Sequence, residues 1–243
     1  MKIGKRNIRE FKARILDASS YLAIPGFIQT YDNPLKAMLQ ELFSWGSYPC
    51  NINIKTPIGK QKVKLFSVSD FSTLNLVFCR RDYYVPNNVS TVVDIGSNIG
   101  LSVLYWLTRN NNSFCYCYEP SPISFEGLIE NCSSFSNRYS AHKVAVSDFN
   151  GKARLGLEDS GVYSSLDLES ENFVECEVIH INEILENVIS IHGNIDVLKI
   201  DSEGHELRTI KAYINLIILT FHVLILTVKE LLNIFLKSLT TVL

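Results

Sequence analysis

The sequence predicts an α/β fold, a mostly parallel sheet with helices on both faces. Three observations carry this. Beyond Asn87, short apolar runs alternate with helical stretches; the runs are almost continuously apolar, as strands buried on both faces are; and one of them, Val92-Val93-Asp94-Ile95, passes directly into the turn Gly96-Ser97-Asn98-Ile99-Gly100. The 243 residues, 47% of them hydrophobic, suffice for one sizeable core with an N-terminal extension. The expected organisation is a helical segment and β-hairpin over residues 1–86, then a ligand-binding domain over residues 87–243.

In residues 11–45 the apolar positions recur at helical spacings, interrupted at Pro25-Gly26 and Asn33-Pro34, which predicts two or three short helices. Residues 51–56 and 62–68 alternate on either side of the turn signal Pro57-Ile58-Gly59-Lys60 and predict a hairpin. Residues 91–95, 114–118 and 142–146 read as the first three core strands. Extended runs follow at 152–157 and 173–181, then a core strand at 195–200, a helix at 203–215, a strand at 222–228 and a final helix at 229–239. No internal repeat is present.

A formal net charge of −2 with mixed signs provides no extended basic field, so nucleic acid is not an expected partner. The six cysteines contain no C-x-x-C pair and lack the density of a secreted disulfide scaffold. Cys115 and Cys117 are two apart in a strand, share a face and read as packing residues, and no metal is expected. Lys2, Lys5, Arg6, Arg9 and Glu10 exclude the apolar core of a signal peptide, so a cytoplasmic setting is expected. Residues 214–228 are apolar but shorter than the roughly 20 residues of a membrane span. They read as a helix end and a buried strand; membrane contact is the minor alternative, supported only by the amphipathic segment 229–239.

In an open α/β sheet, ligands collect at the carboxyl ends of the strands. Gly96 permits a tight turn there, and Gly100 permits close approach of the helix or a ligand. Helix-on-strand packing alone would also use these glycines. A dinucleotide fingerprint needs G-x-G-x-x-G, whereas Asn98 stands at the middle position and Asp94 precedes the turn, which disfavours a nicotinamide-dependent oxidoreductase. Asp94 and Asn98 suit the polar amino-acid end of a ligand. Glu119, followed by Pro120, closes the second strand where a carboxylate can accept from a ribose diol, and its structural alternative is an exposed charge. Asp148 follows the third strand, where it can accept from an adenine amino group or initiate the turn Asp148-Phe149-Asn150-Gly151.

Four blocks resemble the FkbM family of methyltransferases: Asp94-x-Gly96-x-Asn98-x-Gly100, Glu119-Pro120-x-Pro122-x-x-Phe125-x-x-Leu128-x-x-Asn131, Ala145-Val146-Ser147-Asp148, and Leu198-Lys199-Ile200-Asp201-x-Glu203-Gly204-x-Glu206. The resemblance spans roughly residues 70 to 210. It implies a Rossmann-like class I methyltransferase fold, S-adenosylmethionine as cofactor, and O-methylation of a hydroxyl on a sugar, polysaccharide, lipid or polyketide. It also implies that Asp94, Gly96, Ser97, Asn98, Gly100, Glu119, Pro120 and Asp148 surround the cofactor. Ser97 replaces the family's usual alanine, and His180 and Asn182 stand where threonine and aspartate are common. The family's closing antiparallel strand pair is not evident before Leu243, which keeps a truncated, non-catalytic binding protein as an alternative. At the end of the strand 195–200, Asp201 is the first candidate to bind or deprotonate the acceptor, with Glu203 and His205 as alternatives. Asp201 could instead cap the following helix, and Glu203 could face its dipole.

Overall fold

The structure is a computed structural model that describes residues 2–3, 6–7, 21–157, 164–165, 173–201, 209 and 221–226. The chain divides into two compact units, Met1–Pro86 with Thr108–Asn111, and Asn87–Leu107 with Asn112–Leu243.

In the first unit, β1 (Lys2–Ile3) and β2 (Arg6–Asn7) form a short antiparallel pair. Helices α1 (Ile24–Thr30) and α2 (Pro34–Phe43) follow. Pro25-Gly26 does not interrupt a helix as expected but lies in the first turn of α1, where proline forfeits only an N–H with no intrahelical partner. Asn33 caps α2, its Oδ1 accepting from the Lys36 N–H at 3.0 Å. The hairpin is β3 (Cys50–Thr56) and β4 (Gly59–Leu65), which leaves Pro57-Ile58 alone as the connection. The expected strand to residue 68 is therefore too long. Ser67 and Asp70 form a capping box, with Asp70 N–H donating to Ser67 Oγ at 3.1 Å and Ser67 N–H to Asp70 Oδ2 at 2.8 Å. This box starts α3 (Val68–Asn75), which runs on into a π-helical turn, Leu76–Arg80.

A buried polar network ties these helices together. Tyr31 Oη donates to Asn75 Oδ1 at 2.6 Å, Asn75 Nδ2 donates to Glu41 Oε2 at 2.8 Å, and Ser72 Oγ donates to Glu41 Oε1 at 3.0 Å. Burial, with Glu41 and Cys79 nearby, pushes the Tyr31 phenol well above its ordinary range, so it remains a donor.

In the second unit, β5 (Thr91–Ile95), α4 (Leu101–Leu107), β6 (Phe114–Tyr118), α5 (Pro122–Cys132) and β7 (Tyr139–His142) begin the core. They are followed by β8 (Ala145–Ser147), β9 (Gly151–Leu157), β10 (Ser164–Ser165), β11 (Phe173–His180), α6 (Ile181–His192), β12 (Ile195–Ile200) and β13 (Phe221–Leu226). The main sheet has the order β13-β12-β5-β6-β7, with every neighbour parallel. This is the Rossmann-like arrangement. On one face Val93, Ile95, Tyr116, Tyr118, Leu198 and Ile200 pack with Ile184, Leu185 and Val188 of α6. The alternate positions, Asp94, Cys117 and Lys199, point to the opposite face.

The expected third strand, 142–146, is corrected. The core strand is Tyr139–His142; the chain then turns away, and Ala145–Ser147 joins a second sheet of order β10-β9-β11-β8. The apolar signal was real but not a pairing signal, because Val144 and Val146 still pack on the α6 side of the main core. Ile181 opens α6 rather than ending β11, with the Asn182 N–H donating to His180 Nδ1 at 3.1 Å. Of the helix expected at 203–215 only Thr209 is described, and the helix expected at 229–239 lies outside the described residues. Among the described residues, no helix is long and apolar enough to cross a membrane, and no group of three or more His, Cys, Asp or Glu could hold a metal ion. All six cysteines are free thiols.

Replacing Asn75 with alanine leaves the Tyr31 hydroxyl and one Glu41 oxygen buried without this partner. The expected loss is about 2–4 kcal/mol in urea unfolding, against about 1 kcal/mol for Tyr31→Phe, which removes a single donor.

Candidate active site

Strand β5 lies between β12 and β6, and the chain moves to one side of it for β6 and β7 before returning to the other for β12 and β13. The carboxyl ends of β5 and β12 therefore meet at a topological switch point. Three of the segments singled out in the sequence end here: Asp94 to Gly100 after β5, Glu119-Pro120 after β6, and Asp201 after β12.

The turn after β5 is held from several sides. The Gly96 and Ser97 N–H groups both donate to the Tyr118 carbonyl, at 2.9 and 3.1 Å, and the Gly100 N–H donates to the Ser97 carbonyl at 2.9 Å. Ser97 Oγ donates to the Asp94 carbonyl at 2.8 Å, a bond that alanine could not make. Gly96, Asn98 and Gly100 have φ of 76°, 47° and 82°. At Gly100 a Cβ would come within 3.1 Å of Leu128 Cα, so both the backbone and the seat of α4 on α5 require glycine. Asn131 Nδ2 fixes the adjoining Ile99 carbonyl at 2.9 Å. Asn98 is the exposed residue of this turn and Gly96 is half-buried, while Asp94 and Ser97 are buried.

Glu119 is not an exposed charge at a strand end; it is buried, 5% exposed. Its Oε2 accepts from the Asn98 N–H at 2.8 Å and its Oε1 from the Ser121 N–H at 2.9 Å. Burial raises its carboxyl to about 7, partly offset by those two backbone donors and Lys199. Each oxygen retains a second lone pair. Pro120 beside it is half-buried.

Beneath the turn lies a residue quoted in the sequence but given no role there. Lys199, in register with Asp94 across β12 and β5, is 2% exposed. Its Nζ donates to Asp94 Oδ1 at 3.1 Å, to the Ile95 carbonyl at 3.3 Å and to the Gly96 carbonyl at 2.8 Å, and lies 3.7 Å from Asp201 Oδ2. Trp106 Nε1 of α4 donates to Asp94 Oδ2 at 3.0 Å. Asp94 is thus sealed, 0% exposed, with both oxygens engaged by the protein. Its geometry holds the turn. The signal for Lys199 was available: one lysine inside the apolar run Val197-Leu198-Lys199-Ile200 has to find a buried anion.

Asp201 stands just past β12, its N–H donating to the Ile95 carbonyl at 3.1 Å and its side chain 25% exposed. Glu203 and His205 lie outside the described residues. The position of Asp148 differs from expectation: it follows β8 of the second sheet, not the third strand of the main one, and it is half-buried with Ser147 Oγ donating to its Oδ1 at 3.0 Å.

The sheet order, the glycine turn with its preceding aspartate, and the carboxylate closing the next strand together define a protein with the class I methyltransferase fold. The family model described as Methyltransferase FkbM domain matches residues 94–233, more than half of the chain, and the chain belongs to this family. It is also similar to the hexuronic acid methyltransferase AglP of Haloferax volcanii, 26% identical over 125 residues that cover 50% of this chain and 49% of that protein. The chain therefore spans about half the length of this curated relative. No solved structure gives a significant match.

Removing the lysine alone strands a buried carboxylate. Lys199→Met is expected to lose about 3–5 kcal/mol in urea unfolding, and Asp94→Asn added to it to recover most of that loss. Equal stabilities of the single and double variants would show that the pair is not coupled.

Proposed function

We propose that this methyltransferase uses S-adenosylmethionine and methylates a hydroxyl oxygen of a sugar. The observation that carries the reading is the glycine turn at the switch point, closed by the buried Glu119 carboxylate through the Asn98 N–H. A ligand with a polar amino-acid end and a ribose diol fits these residues. Asn98, the exposed residue of the turn, offers its side-chain amide N–H groups, and Glu119 has acceptor capacity left for two hydroxyls. Asp94 and Lys199 set the backbone that presents them. Gly100 admits the helix, Ser97 stiffens the turn, Pro120 flanks the diol site, and Asp148 is proposed at the adenine.

When bound, S-adenosylmethionine supplies a methyl group already activated by its positive sulfur. The protein's part is alignment, worth on the order of 7 to 11 kcal/mol, with a base adding about 10² to 10⁴ in rate. Asp201 is proposed to take that part: its carboxylate would orient the acceptor hydroxyl and accept its proton as the methyl carbon passes from sulfur to that oxygen, the carbon–sulfur bond breaking and its electron pair staying on the sulfur. Lys199, at 3.7 Å, orients the carboxylate in turn. Glu203 and His205 remain alternatives for the same step. The hexuronic acid methyltransferase relative supports a sugar acceptor. A cytoplasmic site of action accords with the free thiols.

Calorimetric titration with S-adenosylhomocysteine tests the cofactor reading, and micromolar binding is expected. A folded chain that does not bind it overturns the reading. Because a diol donates best to ionised Glu119, the affinity should rise by about tenfold from pH 6 to pH 8, through the carboxyl's value of about 7. Asp201→Asn should lower kcat on a uronic acid glycoside by about 10² to 10⁴ while leaving S-adenosylhomocysteine affinity within about twofold.

A further inference from the structure

Helix α1 is apolar on two opposite sides. Ala23, Phe27, Thr30 and Tyr31 recur at helical spacing and are buried in the unit's core. The exposed residues of the same helix are Ile24, Pro25, Ile28 and Gln29, and Leu22 just before it is 77% exposed. Leu35, in the first turn of α2, is 64% exposed. A surface helix ordinarily turns polar residues outward, and one that is apolar nearly all round is one that a second neighbour covers.

This face is locked in place. At Gly26 a Cβ would overlap the Cys79 carbonyl oxygen, so α1 rests backbone to backbone on the π-helical turn Leu76–Arg80. Thr30 Oγ1 donates to the Phe78 carbonyl at 3.4 Å and holds the other end of the helix on the same turn. With that side pinned, Ile24 and Ile28, one turn apart, are kept on the outside.

The charge of the unit identifies what lies opposite. The chain's net −2 conceals an uneven division: residues 1–86 hold 13 Lys and Arg against 6 Asp and Glu, a net +7, and residues 87–243 hold 10 against 19, a net −9. Six of the cations, Lys2, Lys5, Arg6, Arg9, Lys12 and Arg14, precede Leu22 in the sequence. Others stand at the apolar residues themselves. Lys55 Nζ donates to the Ile28 carbonyl at 3.3 Å, and the exposed Lys36 follows Leu35. Asp32 lies 3.9 Å from Lys55 Nζ and 2.7 Å from Lys60 Nζ, which leaves that trio net positive.

We propose that this face of the first unit docks on an anionic lipid surface, with Leu22, Ile24, Ile28 and Leu35 entering the headgroup boundary and the basic residues meeting the phosphates. The inference goes beyond the methyl-transfer reading and is independent of it. Interfacial segments combine an apolar face with a surplus of lysine and arginine, the combination found here. Lysine stems lie along the apolar layer while their ammonium groups stay in water. A second copy of the chain is a poorer fit, because an isologous contact would press a unit of net charge +7 against itself. Single-stranded nucleic acid is a poorer fit too, because it stacks on aromatic rings and Leu22, Ile24, Ile28 and Leu35 are aliphatic.

The test measures cosedimentation of the full chain with vesicles of phosphatidylcholine alone and of phosphatidylcholine with phosphatidylglycerol, beside its sedimentation velocity and its binding to a single-stranded RNA. Binding to the anionic vesicles is expected, about tenfold or more above the neutral ones and weakened by salt. Ile28→Gln/Leu35→Gln should weaken it about tenfold, and Lys36→Gln about fivefold. These positions are exposed, and an unchanged urea midpoint shows that each variant keeps the fold. Failure to bind anionic vesicles, with or without a dimer that the same substitutions abolish, overturns the proposal. Equal binding to neutral vesicles, equal binding by Ile28→Gln/Leu35→Gln and wild type, or tighter binding to RNA also overturns it. Vesicle binding by a chain that fails to bind S-adenosylhomocysteine upholds this surface and overturns the cofactor reading instead.

Discussion

The described part of the second unit is organised around the buried ammonium of Lys199. Lys199 reaches from one strand of the switch point to the carboxylate of the other and to two carbonyls of the glycine turn, and it lies beside the carboxylate at the end of its own strand. A lysine head so placed has lost its water and needs these oxygens as replacements. Their geometry is in turn dictated by the lysine. The turn cannot open, and neither can β5 and β12 separate, without exposing an unsatisfied charge. Trp106 adds a clamp from α4, so that strand, turn and helix are joined at Asp94.

Glu119 makes the complementary closure from the side of β6. Its two oxygens bridge the N–H groups of Asn98 and Ser121, linking the glycine turn to the start of α5. Taking a carboxylate out of water raises its carboxyl to about 7, against an ordinary value near 4.5. The ionised form therefore costs stability as pH rises through that interval, and any ligand that donates to the carboxylate gains from it. Fold rigidity and ligand readiness are opposed at this residue.

Much of this was legible in the sequence because the core strands are buried on both faces and their apolar runs are short and bounded. Residues 91–95, 114–118 and 195–200 have the same limits in the structure. The hairpin was visible from its alternation, but its end at Leu65 was not, since the box of Ser67 and Asp70 competes with strand extension through local bonds that periodicity does not record. The run 142–146 misled because an apolar residue can satisfy burial from either of two sheets. Helix α6 carries Ile181, Ile184, Leu185 and Val188 at a helical spacing but followed an extended run without a glycine or proline to separate them. The motif residues near the turn could be found, but not what holds them: the bonds of Lys199 and Trp106 to Asp94 join residues far apart in the sequence, which spacing does not record.

The thiols beneath this centre have a consequence of their own. Cys115, Cys117 and Cys132 are each 0% exposed, and burial, with the Asp94 carboxylate adding to it, pushes all three above the usual thiol range. Thiolate is the reactive form, so oxidants and alkylating agents have almost nothing to attack while the strands are closed. Chemical modification of these sulfurs is consequently tied to breathing of the sheet: its rate is a clock for how often the native centre comes apart, and it runs slower the more firmly Lys199 holds.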